Sequence, residues 1–98
     1  MKIEGLNYNY NNDIISKKVS TDVEEGFIVI AHNTLTGEVY EFNGVGSVIF
    51  LKLAENMEIS EILLHLIDEY DVKKEDIYDD VATIIKRLLE IGVIIEGE

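Results

Sequence analysis

The sequence predicts an α+β domain, a three-stranded antiparallel sheet followed by three helices in a winged-helix-like order. Three observations carry that expectation. Two strand-like segments, Phe27–Ala31 and Glu38–Phe42, flank a short connection that ends in glycine. Three segments with apolar residues at i, i+3, i+4 and i+7 follow them. The composition, 47% hydrophobic and 29% charged over 98 residues, suits one globular domain with a core and little room for another.

Met1 to Asp13 is polar and asparagine-rich, and residues 1–13 are expected as a flexible N-terminal arm or a frayed extra strand outside the domain at 14–98. Ile14 to Val19 fits a short strand with Ile15 and Val19 on one face around Lys17. Ser20 to Gly26 is a charged turn. Phe27-Ile28-Val29-Ile30-Ala31 has no polar interruption, the mark of a strand that is central or covered on both sides. His32 to Gly37 is a hairpin connection, with Gly37 suited to the left-handed position. On the returning strand, alternation sets Glu38, Tyr40 and Phe42 on one face and Val39 and Glu41 on the other. Tyr40 and Phe42 are expected to face the core.

Asn43 stands where a helix N-cap belongs, and the first helix spans about Val45 to Ala54. The second spans Ile59 to Tyr70, with Ile59, Ile62, Leu63, Leu66, Ile67 and Tyr70 on one face. Glu58 and Glu61 occupy capping-box positions, but Glu caps poorly, so its start is weak. The third runs from Glu75 to Ile91, with Gly92 as its stop. Val93-Ile94-Ile95 is a last short strand or a tail that packs back.

This third helix carries more apolar surface than one core seam uses. At about 100° per residue, Ile77, Val81, Ile84, Leu88 and Ile91 form one stripe. Tyr78, Ala82, Ile85 and Leu89 form a second, about 100° away. The first stripe is expected to be the core seam. The second requires another wall: the hairpin, a dimer partner, or a ligand. If Glu38 to Phe42 and this stripe are two walls of a groove, an extended peptide adds to the strand edge and presses alternate side chains on the helix.

Charge and composition narrow the function classes. A net charge of −12 repels nucleic-acid backbones and anionic membranes and favours a basic or neutral partner. No cysteine is present, which removes disulfides, thiolate metal sites and cysteine nucleophiles. No apolar run approaches the roughly 20 residues of a membrane span, and no signal peptide is expected, so a cytoplasmic location is the simplest expectation.

Thr36-Gly37-Glu38-Val39-Tyr40-Glu41-Phe42-Asn43, Ile49-Phe50 with Leu53, Ile59-Ser60-Glu61-Ile62, Leu66, Tyr70-Asp71-Val72, Asp80-Val81, Ile84, Leu88 and Gly92-Val93-Ile94 occur in a familiar order. Over about Asp22 to Ile95 they resemble the PqqD-like family, the recognition elements of ribosomally made, post-translationally modified peptides. Phe50 departs from the pattern, standing where a Trp is common. The resemblance implies three strands on three helices and a peptide chaperone, while the residues themselves point to no catalysis, cofactor or metal. Such a domain binds the leader of a precursor peptide as an added strand and presents it to a modifying enzyme: a radical SAM protein, a cyclodehydratase or a leader peptidase. Carried over by position, the strand wall is Glu38, Val39, Tyr40, Glu41 and Phe42. The wheel supplies Tyr78, Ala82, Ile85 and Leu89 as the helical wall.

Other classes fit parts of the sequence. A winged-helix DNA-binding regulator shares the helix order, but Glu75, Asp76, Asp79 and Asp80 would face phosphates. An enzyme lacks candidates: His32 lies in a turn, His65 on a helix, and Gly44-Val45-Gly46 has neither the lysine nor the spacing of a phosphate loop. A homodimer could pair the same strand edge with its own copy and hide the second stripe.

Overall fold

The computed structural model describes residues 2–20 and 26–97. After a 3-10 turn at Ile3–Gly5 come β1 (Tyr8–Tyr10), β2 (Ile14–Ser20), β3 (Phe27–Asn33) and β4 (Val39–Asn43). Then follow α1 (Gly44–Ala54), α2 (Ile59–Tyr70), α3 (Lys74–Glu90) and β5 (Ile94–Glu96). Strands β2, β3 and β4 form an antiparallel sheet in that order, so the uninterrupted apolar strand is central. The charged turn expected at 20–26 falls mostly on residues 21–25, outside the described residues.

Asn33 builds the connection between β3 and β4. Its buried side-chain oxygen accepts the N–H groups of Leu35 and Thr36 at 2.9 and 3.2 Å, a side-chain substitute for a backbone turn. Gly37 then takes φ +80°, where a Cβ would be strained. Beyond β4 the chain reverses into α1 through Gly44 at φ +55°. Asn43 is at the N-cap position, though its side chain makes no capping bond.

The helices cover one face of the sheet. Val29 and Ala31 of β3 are fully buried there with Ile49, Phe50 and Leu53 of α1. Phe50 lies between two other rings, stacked on Phe42 at 5.1 Å between centroids and edge-on to Tyr10 at 6.0 Å. Phe42 therefore faces the core as predicted. Tyr40, on the same face, is only half-buried and donates its hydroxyl to Glu38 at 2.8 Å. The other sheet face is open, with Ile15 and Val39 exposed.

Residues 2–13 are not set apart from the domain. Ile3 is 0% exposed, and β1 pairs antiparallel with β5 from Tyr8 opposite Glu96 to Tyr10 opposite Ile94. Two-residue alternation of Tyr8 and Tyr10 explains the strand: both rings turn inward, and Asn9 turns out. The Tyr8 hydroxyl donates to the Met57 carbonyl at 2.7 Å, with the Leu53 carbonyl at 3.2 Å, satisfying backbone acceptors where α1 ends. Asn11 ties this segment to the chain end through the Gly92 and Val93 carbonyls, both at 2.9 Å.

Candidate functional site

Strand β4 is an edge strand: among the described residues it is bonded to β3 on one side and to no strand on the other. The N–H of Asn33 donates to Glu38 at 2.9 Å, which fixes the phase of the ladder. Tyr40 opposite Ala31 and Phe42 opposite Val29 then turn their backbone groups to β3. Val39, Glu41 and Asn43 turn theirs to the open edge. Such a row of unpaired donors and acceptors is a template for another strand.

Helix α3 is rotated relative to the sequence prediction. Ile77, Val81, Ile85 and Leu88 are its buried residues, while Ile84 is half-exposed. Ile84 and Ile85 thus exchange the roles assigned to them: Ile85, expected on the groove wall, is 0% exposed and belongs to the core. The buried face is centred between the two predicted stripes, about 40° from Ile77. One flank carries Tyr78, Ala82 and Leu89, all half-buried against the core. The opposite flank carries Asp76, Asp80, Thr83, Ile84 and Arg87.

The rotation has a physical cause. The Tyr78 hydroxyl accepts the Ile3 N–H at 3.1 Å, so the N-terminal segment meets α3 on the flank that the sequence leaves without a wall. Glu4 lies beside it, 3.5 Å from Lys74. The Tyr78 hydroxyl, foremost, holds the Glu4 carboxyl below its ordinary value, with Lys74 adding to the effect. Tyr78 therefore belongs to an internal contact, away from β4.

The flank that does face β4 forms a groove. Glu41, Phe42 and Asn43 line one side, Ile84, Arg87 and Leu88 the other, with Gly46 at the end. The Arg87 charge also reaches Tyr40, whose hydroxyl is pushed up chiefly by its bond to Glu38. Strand and helix therefore run in opposite senses: Tyr40 is within reach of Arg87, while Val45, two residues past the end of β4, shares a cavity with Asp80 and Ile84. At Ile84 the groove meets a cavity of about 510 Å³. Val45 of α1, Tyr70 and Val72 at the end of α2, and Ile77 give it apolar walls; Asp76, Asp80 and Thr83 stand on its α3 side.

The predicted strand residues and the predicted helical residues are thus not brought together as a pair of walls. The strand meets Ile84, Arg87 and Leu88 instead. Ile84 and Leu88 are both apolar members of the stripe expected as the core seam: Leu88 is indeed buried there, while Ile84 is half-exposed on the groove. Arg87 has no such signal, because a charged helix face is ordinary on its own; Asp80 and Tyr70 belong to the family pattern but not to the predicted walls, and Tyr70, expected on the buried face of α2, is exposed. Among the described residues, no group of three or more His, Cys, Asp or Glu is placed to hold a metal, and no helix is long and apolar enough to cross a membrane.

A solved structure with the same fold is TbiB1 in complex with the TbiA(beta) leader peptide. The two superpose with a TM-score of 0.73 at 21% identity, over 87% of this chain and 92% of that one. No curated protein sequence matches. The sequence pattern of coenzyme PQQ synthesis protein D (PqqD) matches residues 21–94, from the residue after β2 to the first residue of β5, and this chain belongs to the PqqD family.

Proposed function

We propose that this domain is a non-catalytic chaperone for a ribosomally made precursor peptide. It takes the leader segment as an additional strand on β4 and delivers it to a modifying enzyme. The observation that carries this is the unpaired edge of β4 facing an open groove on α3. Family membership and the shared fold of a protein solved with a leader peptide support it.

The energetics are consistent with useful affinity. A strand bonded through Val39, Glu41 and Asn43 gains about 1 kcal/mol net for each bond, which the ordering of a flexible peptide largely offsets. One or two apolar side chains on the half-buried Phe42 and Ile84 add about 1.5–3 kcal/mol each. The edge supplies register, and the helix supplies affinity.

The test is a titration of the isotope-labelled domain with the precursor peptide encoded beside its gene, followed through backbone amide shifts. Shifts at Val39, Glu41 and Asn43 together with Ile84 to Leu88 are expected. Saturable binding that leaves the β4 amides unmoved would overturn strand addition.

A further inference from the structure

The cavity beside Ile84 has a composition that the strand groove does not require. Its walls are apolar, from Val45, Tyr70, Val72 and Ile77, yet Asp76 and Asp80 stand on its α3 side one helical turn apart. Both carboxylates are exposed, and neither has a cationic partner among the described residues, where the ion pair is Lys74 with Glu4. A purely apolar anchor would leave these charges partly desolvated and unpaired. A lysine or arginine suits both halves: its aliphatic stem covers the apolar walls while its cationic head meets the carboxylates. The exposed Tyr70 ring offers the same cation a face.

Farther along α3 the charge reverses. Arg87 lies on the strand groove and has no carboxylate partner among the described residues. The helix advances about 1.5 Å per residue, so Asp80 is about 6 Å before Ile84 and Arg87 about 4.5 Å after it. An added strand presents alternate side chains to α3 at about 6.8 Å intervals. Two consecutive helix-facing positions of the peptide therefore fall opposite Asp80 and Ile84, and the third lies about 2 Å beyond Arg87, within reach of its long side chain. Since β4 and α3 run in opposite senses, an antiparallel peptide meets Asp80 first and Arg87 last.

We propose that this groove selects leader segments by a charge-ordered pattern: Lys or Arg seated in the cavity at Asp76 and Asp80, an apolar residue two positions later on Ile84, and Asp or Glu two positions after that at Arg87. The proposal rests on strand addition to β4 and adds to it the identity and order of the side chains that are read.

The experiment is selection of a displayed library of random 12-residue peptides, run in parallel on the wild-type domain and on the Asp76→Asn/Asp80→Asn variant. Both substituted positions are exposed, and circular dichroism verifies that the variant is folded. Wild-type binders are expected to be enriched in the ordered pattern. Binders from the variant should keep the apolar preference and lose the basic one, and a wild-type binder should bind the variant about tenfold more weakly. Binders that shift the β4 amides but show no basic bias, or the same bias on both proteins, overturn the charge-ordered pattern and leave strand addition standing. Binders that leave β4 unmoved, or no binders at all, count against both.

Discussion

The backbone N–H of Ile3 donates to the hydroxyl of Tyr78, 75 residues later, at 3.1 Å. This bond pins the start of the chain to the first turns of α3, and with the burial of Ile3 it determines which side of that helix is covered. Replacing Tyr78 by Phe leaves the Ile3 N–H without its acceptor and should lower stability by about 1 kcal/mol. Ile3→Ala removes a fully buried side chain and should cost about 2–5 kcal/mol. Urea denaturation of both variants checks the order. An Ile3→Ala midpoint equal to wild type would mean that the segment does not support the core.

The same contact explains what could be seen in the sequence and what could not. Hairpin, central strand and all three helices follow from local signals: Gly37, the β-branched run at 27–31, and the apolar spacing from Ile59 to Tyr70. The facing of α3 is not local. A helical wheel yields the angles between residues but not the zero of rotation, which depends on what packs against the helix from elsewhere. Here that partner is a segment whose asparagines suggest a loose arm, although Ile3, Leu6, Tyr8 and Tyr10 supply apolar surface. Without that segment, Tyr78, Ala82, Ile85 and Leu89 have no wall in the sequence pattern, which therefore predicts a surplus stripe where the fold has an internal contact.

Ile84 and Ile85 therefore make a sharp pair. Ile85→Ala should cost about 2–5 kcal/mol, because its side chain is fully buried and the cavity left behind closes only in part. Ile84→Ala, at a half-exposed position, should cost less than 1 kcal/mol of stability and yet weaken peptide binding about tenfold. Thermal melts and a titration with the precursor peptide separate the two effects. Equal losses of stability in both variants would contradict the rotation of α3.

Acid should act on the N-terminal contact through Glu4. Its carboxyl is held below the ordinary value of 4.5, first by the Tyr78 hydroxyl, so the folded state favours the ionised form. A depressed carboxyl contributes stability that is present above its unfolded value and lost as the pH falls through its folded one. Wild type should thus be more stable than Glu4→Gln at neutral pH, and the difference should shrink as the pH falls below the ordinary value of 4.5. Melting temperatures of the pair between pH 7 and pH 3 check this; a gap that widens on acidification would give the wrong sign.

Strand addition itself is best tested on the backbone, since the proposed bonds to the leader are main-chain bonds. The phase of the β3–β4 ladder turns the Glu41 N–H outward and the Tyr40 N–H inward. Proline lacks that donor and is tolerated at edge positions whose N–H faces solvent. Glu41→Pro should therefore keep the fold while weakening binding of the precursor peptide about tenfold, a loss near 1.4 kcal/mol. Tyr40→Pro should break a bond within the sheet and lower stability as well. Circular dichroism and peptide titration of the two variants distinguish these outcomes. If Glu41→Pro is folded and binds as wild type does, the leader is held by the α3 side chains without joining the sheet.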